Sequence, residues 1–375
     1  MTAAAAAGTA QSASLAPYDA VLVLSFGGPD TGDDVMPFLH DVTAGKGIPD
    51  DRLAEVAGHY HRFGGRSPIN AENWLLIAQL RAELSARGIR IPVIFGNMHW
   101  HPRTLDTLRT AAAFGARRIL AVITSAYASY SGSRQYREHL AAVSRTLAAE
   151  GSPLRIDVLR PYFNHPGFVD ANAAAIRAAL DALPAGRRTR LVAVTHSIPD
   201  TMNRASGATG PTYLQQHQEE LRLIDADLRS RGHEDVDSVL AFCSRSGAPG
   251  SPWLEPDVSD SLCRARDAGV EQVVIAPIGF IMDHMEVVYD LDTEALATAG
   301  EIGLPAVRAT TAIHRPEFIA GLADLLAERA ARERGEDAPR TAVGRYEGLP
   351  DDAPAGSCLR VDGVESGVPV IAGDE

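Results

Sequence analysis

Two segments of the chain carry the side chains best suited to metal or proton chemistry. His196 lies two residues after the apolar run 191–194, and Glu286 follows a second apolar run at 273–276. Both runs are typical of buried parallel strands, and open α/β sheets bind ligands at the carboxyl ends of such strands. An imidazole and a carboxylate brought together there would form a mixed nitrogen and oxygen site. Such a site suits a borderline divalent metal such as Fe²⁺, or proton transfer.

A pattern of acidic residues begins at Glu286. Glu286, Asp290 and Glu294 are spaced four residues apart, so a helix would place their carboxylates along one stripe. Like charges at this spacing repel each other unless cations lie between them. The stripe is therefore either a track for hydrated divalent cations or an exposed acidic helix face. A π-bulge in this helix would change the register of the stripe and favour a functional role.

Strand-length and helix-length segments alternate along the chain, which predicts mostly parallel sheets with helices on both faces. The pattern runs twice, so we expect two similar α/β domains, at 17–160 and 161–329, with a cleft between them. Neither a G-x-G-x-x-G motif after the first strand nor a P-loop motif is present, which argues against nucleotide binding. The predicted strands are 20–25, 92–97, 118–123, 155–160, 191–195, 238–243, 272–277 and 306–310. The predicted helices include 104–114, 133–150, 166–183, 213–231 and 257–268.

Composition limits the class of protein. The 375 residues are 45% hydrophobic, which is enough for two globular domains that each bury a core, so we expect a monomer. The net charge of −13 argues against nucleic acid as a partner. No apolar run reaches the length of a membrane span, and the first residues lack the features of a signal peptide, so we predict a cytoplasmic protein without stable membrane insertion. We expect 1–16 to be a disordered tail and 330–375 a mostly flexible acidic tail.

An ordered set of motifs resembles the ferrochelatase family, which inserts Fe²⁺ into a porphyrin. The resemblance covers about residues 18–328 and implies two Rossmann-like, chelatase-type domains with four-stranded sheets and a porphyrin cleft between the domains. It also implies that His196 and Glu286 face each other across the cleft and contact iron, and that His196 accepts protons. The motifs are LSFGGP at 24–29, GGRSPI at 64–69, THSIP at 195–199, SRSGAP at 244–249, WLEP at 253–256 and DHMEVVYD at 283–290.

The same resemblance implies further site residues. Asp290 and Glu294 would join His196 and Glu286 as metal ligands. Phe26 stands where some relatives carry a tyrosine that approaches the metal, and its ring can only pack. The sequence 99–101 (HWH) lies after a predicted strand and either lines the pocket or binds metal. The residues implied to contact the porphyrin are Phe26, His59, Tyr60, Ser67, His99 and Tyr130.

The nearest resemblance is to ferrochelatases of high-GC Gram-positive bacteria. These act on coproporphyrin III and give coprohaem (Fe-coproporphyrin III) in haem biosynthesis. The loop after Phe26 lacks the long apolar insertion that helps enclose protoporphyrin in other branches, so its more open mouth favours the tetra-acid. We therefore expect Fe²⁺ and coproporphyrin III as substrates and a transient contact with a coprohaem decarboxylase. The alternatives are a protoporphyrin IX ferrochelatase that gives protohaem, a cobalt chelatase of the same fold and a non-catalytic tetrapyrrole carrier.

Three cysteines, Cys243, Cys263 and Cys358, are scattered along the sequence without a C-x-x-C pair. Some ferrochelatases hold a [2Fe–2S] cluster, which needs four ligands that are normally cysteines. Phe163 stands in the region where the resemblance would place an upstream ligand. We therefore predict that the protein has no [2Fe–2S] cluster and no other prosthetic group.

Overall fold

The computed structural model describes residues 14–246, 250–353, 356–361, 363–364 and 367–371. Its strands form two four-stranded parallel sheets, in the orders β2-β1-β3-β4 and β6-β5-β7-β8. The same order occurs in both halves, which confirms the prediction of two similar Rossmann-like domains. The strands are β1 (Ala20–Ser25), β2 (Val93–Asn97), β3 (Arg118–Ile123), β4 (Arg155–Val158), β5 (Thr189–His196), β6 (Asp237–Cys243), β7 (Gln272–Ala276) and β8 (Ala306–Arg308).

Helices connect the strands and cover both faces of each sheet, and the predicted helices are present with nearly the predicted bounds. No helix in the described part of the chain has the length and apolar character needed to span a bilayer. The helices are α1 (Val35–Val42), α2 (Asp50–Arg62), α3 (Ile69–Ala86), α4 (Thr104–Ala113), α5 (Gln135–Ala149), α6 (Pro166–Asp181), α7 (Asp200–Ser206), α8 (Tyr213–Ser230), α9 (Val258–Asp267), α10 (Met285–Tyr289), α11 (Leu296–Glu301) and α12 (Pro316–Glu333).

The central strands are buried on both faces, which is why their sequences are continuous apolar runs. In β1, Val21 and Val23 join a core cluster with α3 and α12, whereas Leu22 and Leu24 join a second cluster with α4 and α5. In β5, the four residues from Leu191 to Val194 are fully buried in the same alternating way. Each central strand therefore ends at the carboxyl edge of its sheet, where its apolar run is followed by polar side chains.

The last helix, α12, returns to the first domain. It packs against α3 and against α6, and Arg87 in the first domain forms an ion pair with Asp324 of α12 at 2.5 Å. Glu333, the last residue of α12, pairs with Arg118 of β3. The two halves are thus joined by helix packing as well as by the crossover after β4.

The two terminal segments make defined contacts where the structure describes them. Arg334 donates hydrogen bonds to the carbonyls of Ser14 (3.0 Å) and Ala16 (2.6 Å), and residues 1–13 of the predicted N-terminal tail lie outside the described residues. In the segment predicted to be flexible, Asp351, Ser357, Cys358 and Leu359 are buried. Side chains of the preceding domains donate hydrogen bonds to main-chain carbonyls of this segment: Arg160 to Thr341 (2.6 Å), Asn164 to Tyr346 (2.8 Å) and Arg137 to Asp351 (2.6 Å). The domain boundaries remain predictions.

A buried carboxyl group joins the two domains. Glu220 on α8 is fully buried, its Oε2 bonds the hydroxyl of Tyr127, and its Oε1 accepts from Asn172 at 2.7 Å. Burial raises the pKa of Glu220 well above its ordinary value. The Tyr127 hydroxyl also lies 2.9 Å from the Ile278 carbonyl, which can only accept. Tyr127 therefore donates to Ile278, and a protonated Glu220 donates to Tyr127.

This arrangement predicts different effects for two substitutions at Glu220. Glu220→Gln keeps a neutral donor and acceptor of similar size, so the free energy of unfolding should change by less than about 1 kcal/mol. Glu220→Ala leaves Tyr127 and Asn172 without their partner and opens a cavity, at a cost of about 2–4 kcal/mol. Urea unfolding at pH 7 measures both. Equal losses for the two variants would contradict a neutral carboxyl group.

Candidate active site

His196 is the last residue of β5 and points into the cleft between the domains. Its Nδ1 lies 2.5 Å from the Ser197 carbonyl, which can only accept, so Nδ1 carries the proton and donates. In the neutral imidazole this leaves the lone pair on Nε2, which lies 3.5 Å from Oε2 of Glu286. About a third of the His196 side chain (32%) and half of the Glu286 side chain (54%) are exposed, so both can be reached from the cleft.

A close approach of backbone to strand brings Glu286 to this position. Gly279, in the loop after β7, passes so near β5 that a Cβ at this residue would lie 2.1 Å from Oγ1 of Thr195. Only glycine fits there. The amide of Gly279 also donates to the Val194 carbonyl at 3.1 Å. The loop is thus fixed to β5 just before His196, and it leads directly into α10, with Glu286 in the first turn.

A set of hydrogen-bonded, buried polar side chains behind β5 holds His196 in position. Sequence analysis did not identify this set. Tyr213 donates from its hydroxyl towards the His196 carbonyl at 3.1 Å, and Oγ1 of Thr195 lies 2.7 Å from the same hydroxyl. Thr195 also lies 2.8 Å from Nε2 of His217, whose Nδ1 donates to the Tyr213 carbonyl at 2.8 Å. Burial lowers the pKa of His217 to about 3, so its imidazole is neutral. These residues fix the end of the strand that carries His196.

His284 is a second imidazole at the site that was missing from the predicted residues. Its Nδ1 lies 4.0 Å from Oε2 of Glu286. Burial lowers the pKa of His284 and outweighs the opposing effect of the Glu286 charge, so this imidazole is neutral at neutral pH. His284 stands one residue before α10, in extended backbone, and belongs to the DHMEVVYD motif in which the sequence analysis assigned it no role.

The acidic stripe after Glu286 lies on an irregular helix. The chain changes from α10 to a π-helical segment at Asp290–Ala295, which alters the register of the stripe. Burial raises the pKa of Asp290 to about 6, against a hydrogen bond from Ser244, and the charges of Glu286 and Glu294 add to the increase. Asp290 is thus close enough to both carboxylates for their charges to act on it.

Two predicted substrate residues on α2 face this stripe from the first domain. The ring of His59 stacks on Tyr289 of α10, with centroids 3.8 Å apart and an interplanar angle of 6°. Burial lowers the pKa of His59, and the charge of Glu294 opposes this. Burial and the charge of Glu286 raise the pKa of Tyr60. Both side chains therefore lie near α10, and their contact with a porphyrin remains a prediction.

The other predicted substrate residues lie on the first domain. The rings of Phe26 and His99 are 4.6 Å apart, and Nδ1 of His99 lies 3.0 Å from Asp41, which also pairs with Arg103. Ser67 is buried, and a Cβ added at Gly28 would lie only 2.7 Å from the Cβ of Ser67. Tyr130 begins a second π-helical turn, Tyr130–Arg134, and its hydroxyl donates to Glu138 at 3.2 Å.

The metal-ligand roles of these residues remain predictions. Among the described residues, no three His, Cys, Asp or Glu side chains are arranged so that they could hold a metal ion together. The cysteines occupy three different elements. Cys243 ends β6 and is buried, Cys263 is exposed on α9, and Cys358 is buried in the C-terminal segment.

Known proteins are similar in sequence to this chain over most of its length. The sequence profile of the ferrochelatase family matches residues 18–330. A coproporphyrin III ferrochelatase of Streptomyces coelicolor is 49% identical over 350 residues, which cover 91% of this chain and 93% of that protein. A ferrochelatase of Rhodopirellula baltica is 43% identical over 363 residues, which cover 96% and 99%. The chain therefore belongs to the ferrochelatase family, which confirms the prediction made from the ordered motifs.

A solved structure is also similar in outline. SirB from Bacillus subtilis with Fe³⁺ aligns with a TM-score of 0.49 and 12% sequence identity, covering 84% of this chain and 97% of that one.

The raised pKa of Asp290 predicts a stability effect. The carboxyl group titrates near 3.8 when unfolded and at about 6 when folded, so between these values the folded state binds more protons and stability falls as pH rises. Asp290→Asn removes this loss and should raise the free energy of unfolding at pH 7.5 by about 1–2 kcal/mol, with no gain near pH 4. Asp260→Asn, at an exposed position on α9, is the control. Urea unfolding at both pH values measures the difference, and an equal gain at both would contradict the assignment.

Proposed function

We propose that the protein inserts Fe²⁺ into coproporphyrin III and releases coprohaem for haem biosynthesis. The main observation in support is the 3.5 Å approach of His196 Nε2 to Glu286 Oε2 at the carboxyl edge of the second sheet. This pair occurs in a chain that is 49% identical to a coproporphyrin III ferrochelatase over 91% of its length. Metal insertion into a porphyrin uses both an accessible imidazole and a carboxylate at one point.

The reaction requires two exchanges at the centre of the macrocycle. Two pyrrole N–H protons leave the porphyrin, and Fe²⁺ loses its water ligands as it enters. His196 has one available lone pair, at Nε2, because Nδ1 donates to the Ser197 carbonyl; at any moment this lone pair either binds Fe²⁺ or accepts a pyrrole proton. Glu286 supplies a negative charge and an oxygen ligand for the incoming ion. The neutral His284, 4.0 Å from Glu286, is placed to receive the second proton.

Asp290 and Glu294 extend this centre into a path for the metal. A carboxyl group with a pKa of about 6, like that of Asp290, is only partly protonated at neutral pH and gains charge as a cation approaches. Asp290, at the start of the π-helical segment, lies within electrostatic reach of both Glu286 and Glu294. Hydrated Fe²⁺ would pass along these carboxylates to Glu286 and His196.

The predicted porphyrin contacts would line the rest of the pocket. Phe26, next to His99, offers an apolar surface for the macrocycle, and His59 and Tyr60 border it beside α10. Ser67 and Tyr130 complete the set, with hydroxyl groups suited to propionate carboxylates. An apolar pocket with a few polar groups at its rim is typical of a site for a large flat ligand.

The protein is proposed to work as a cytoplasmic monomer without a prosthetic group. It passes its product to a coprohaem decarboxylase through a transient contact. A [2Fe–2S] cluster does not fit, because the sequence has three cysteines and they lie in three separate elements. Acid-labile sulfide in stoichiometric amount in protein purified without oxygen would overturn this part.

The test of the activity is a direct insertion assay. The protein is mixed without oxygen with Fe²⁺ and either coproporphyrin III or protoporphyrin IX, and the Q bands of the porphyrin are followed. We expect a higher kcat/KM for coproporphyrin III. A preference for protoporphyrin IX would keep the activity and reverse the substrate. Tight porphyrin binding without insertion of iron would indicate a carrier.

A further inference from the structure

Arg308, the last residue of β8, joins two points of the segment that carries Glu286. Its Nη1 and Nη2 donate to the two carboxylate oxygens of Asp283, at 3.1 and 2.9 Å. Its Nε donates to Oδ1 of Asp292 at 2.5 Å. Asp283 lies three residues before Glu286, and Asp292 lies six residues after it. One guanidinium group therefore bonds the chain on both sides of Glu286.

The second sheet fixes Arg308 in turn. Arg308 pairs with Ile275 of β7 in the parallel ladder, and the amide of Ala309 donates to the Ile275 carbonyl at 2.9 Å. Only 17% of the Arg308 side chain is exposed. A planar guanidinium group that bonds both oxygens of Asp283 can do so in few orientations. The position of Asp283 is therefore set by the strand next to β7.

The segment between the two carboxylates needs support from outside. Helix α10 has five residues and passes into the π-helical segment Asp290–Ala295. Helices this short are unstable alone, and π-helical turns are rare. Five of the twelve residues from 283 to 294 are carboxylates, which repel each other. Val287 and Leu291 bury one face in a core cluster, and Arg308 adds three hydrogen bonds and a positive charge.

We infer that Arg308 is a positioning residue for metal insertion, which holds Glu286 opposite His196 by bonding the chain on both sides of Glu286. This inference rests on the proposed function and adds a residue that acts through the backbone. A displacement of Glu286 by about 1 Å would change its 3.5 Å distance to His196, and a shift of that size can slow a reaction by as much as about a hundredfold. The loss of Arg308 should therefore affect the use of iron more than the binding of porphyrin.

The kinetic test compares Arg308→Met with Arg308→Lys. Methionine removes the charge and all three donors. We therefore expect kcat to fall about tenfold and the KM for Fe²⁺ to rise about three- to tenfold, while the KM for coproporphyrin III stays within about twofold of wild type. Lysine keeps the charge but has no planar fork to bond both carboxylates, so the same constants should change in the same direction by smaller factors.

Arg190→Met is the matched control. Arg190 lies near the start of β5, far along the strand from His196, and it pairs with Asp237 as Arg308 pairs with its carboxylates. All three constants should stay within about twofold of wild type in this variant. Equal rises of both KM values in Arg308→Met, or no change in either constant, would overturn the inference. If Arg308→Met does not fold, the same criteria apply to Arg308→Lys.

A second test does not depend on turnover. In substrate-free Arg308→Met, hydrogen exchange read by mass spectrometry should speed up about tenfold or more in peptides from 283–295, with peptides of β5 unchanged. A uniform increase along the chain would indicate a general loss of stability, and no increase would show that the segment is held without Arg308. Either result would overturn the inference. If wild-type protein binds porphyrin but inserts no iron, the proposed function fails, and the exchange result still decides whether Arg308 holds this segment.

Discussion

Glu286→Gln should abolish iron insertion, with kcat reduced by about a thousandfold or more. The amide has nearly the same size as the carboxylate, but it has no charge and is a weak ligand for a cation. Glu286 is half exposed at the start of α10, so the substitution leaves no buried group without a partner. Porphyrin binding should therefore stay within about tenfold of the wild-type affinity, because the carboxylate acts on the metal and not on the macrocycle.

Anaerobic insertion followed by absorbance, together with quenching of porphyrin fluorescence, separates these two effects. Glu301→Gln, at the exposed end of α11, removes one carboxylate from a remote position and serves as the control. A Glu286→Gln variant that loses porphyrin binding would give Glu286 a structural role. A variant that still inserts iron at the wild-type rate would remove it from the centre altogether.

His196→Ala should lower kcat by about a hundredfold to ten-thousandfold, because it removes the lone pair that receives a proton and binds iron. Nothing else at the end of β5 presents a nitrogen to Glu286 at 3.5 Å. The strand itself should remain in place, since Tyr213 and Gly279 hold it through backbone groups that alanine retains. Porphyrin binding is thus expected to change little.

The readout is the same pair of assays, with His40→Ala as a control at an exposed position. Added imidazole should restore part of the lost rate if the vacated position admits it, as expected for a missing base. Full activity of His196→Ala would mean that His284 both accepts the proton and binds iron. A protein that only carries porphyrin would show no effect of this substitution in either assay.

The strands could be predicted from the sequence because both faces of each sheet are covered. Residues 191–194 and 273–276 are buried on both sides, so they form unbroken apolar runs with a clear end. The approach of His196 to Glu286 could not be derived from spacing, since 90 positions (286 − 196) separate them, and only the family resemblance predicted it. Gly279, which fixes that approach, has no distinctive local sequence pattern.

The contacts of the C-terminal segment could not be predicted from apolar patterns in the sequence. Its contacts include hydrogen bonds from Arg137, Arg160 and Asn164 to main-chain carbonyls of residues 341–351. Any sequence supplies carbonyl acceptors, so the receiving segment needs no periodicity and shows none. The donors are the informative residues, because buried guanidinium and amide groups must find acceptors. A buried arginine cannot be recognised as buried before the fold is known.

The return of α12 to the first domain has a consequence for synthesis on the ribosome. Phe318, Leu322 and Leu326 of α12 lie in the same core cluster as Leu76 and Leu80 of α3 and as β1. One face of the first sheet is therefore covered only in part, by α3, until residues 316–333 have emerged, after nearly all of the second domain. The first domain cannot complete its folding while the second is still being made, and the nascent chain must keep that apolar face from other partners until its final helix arrives.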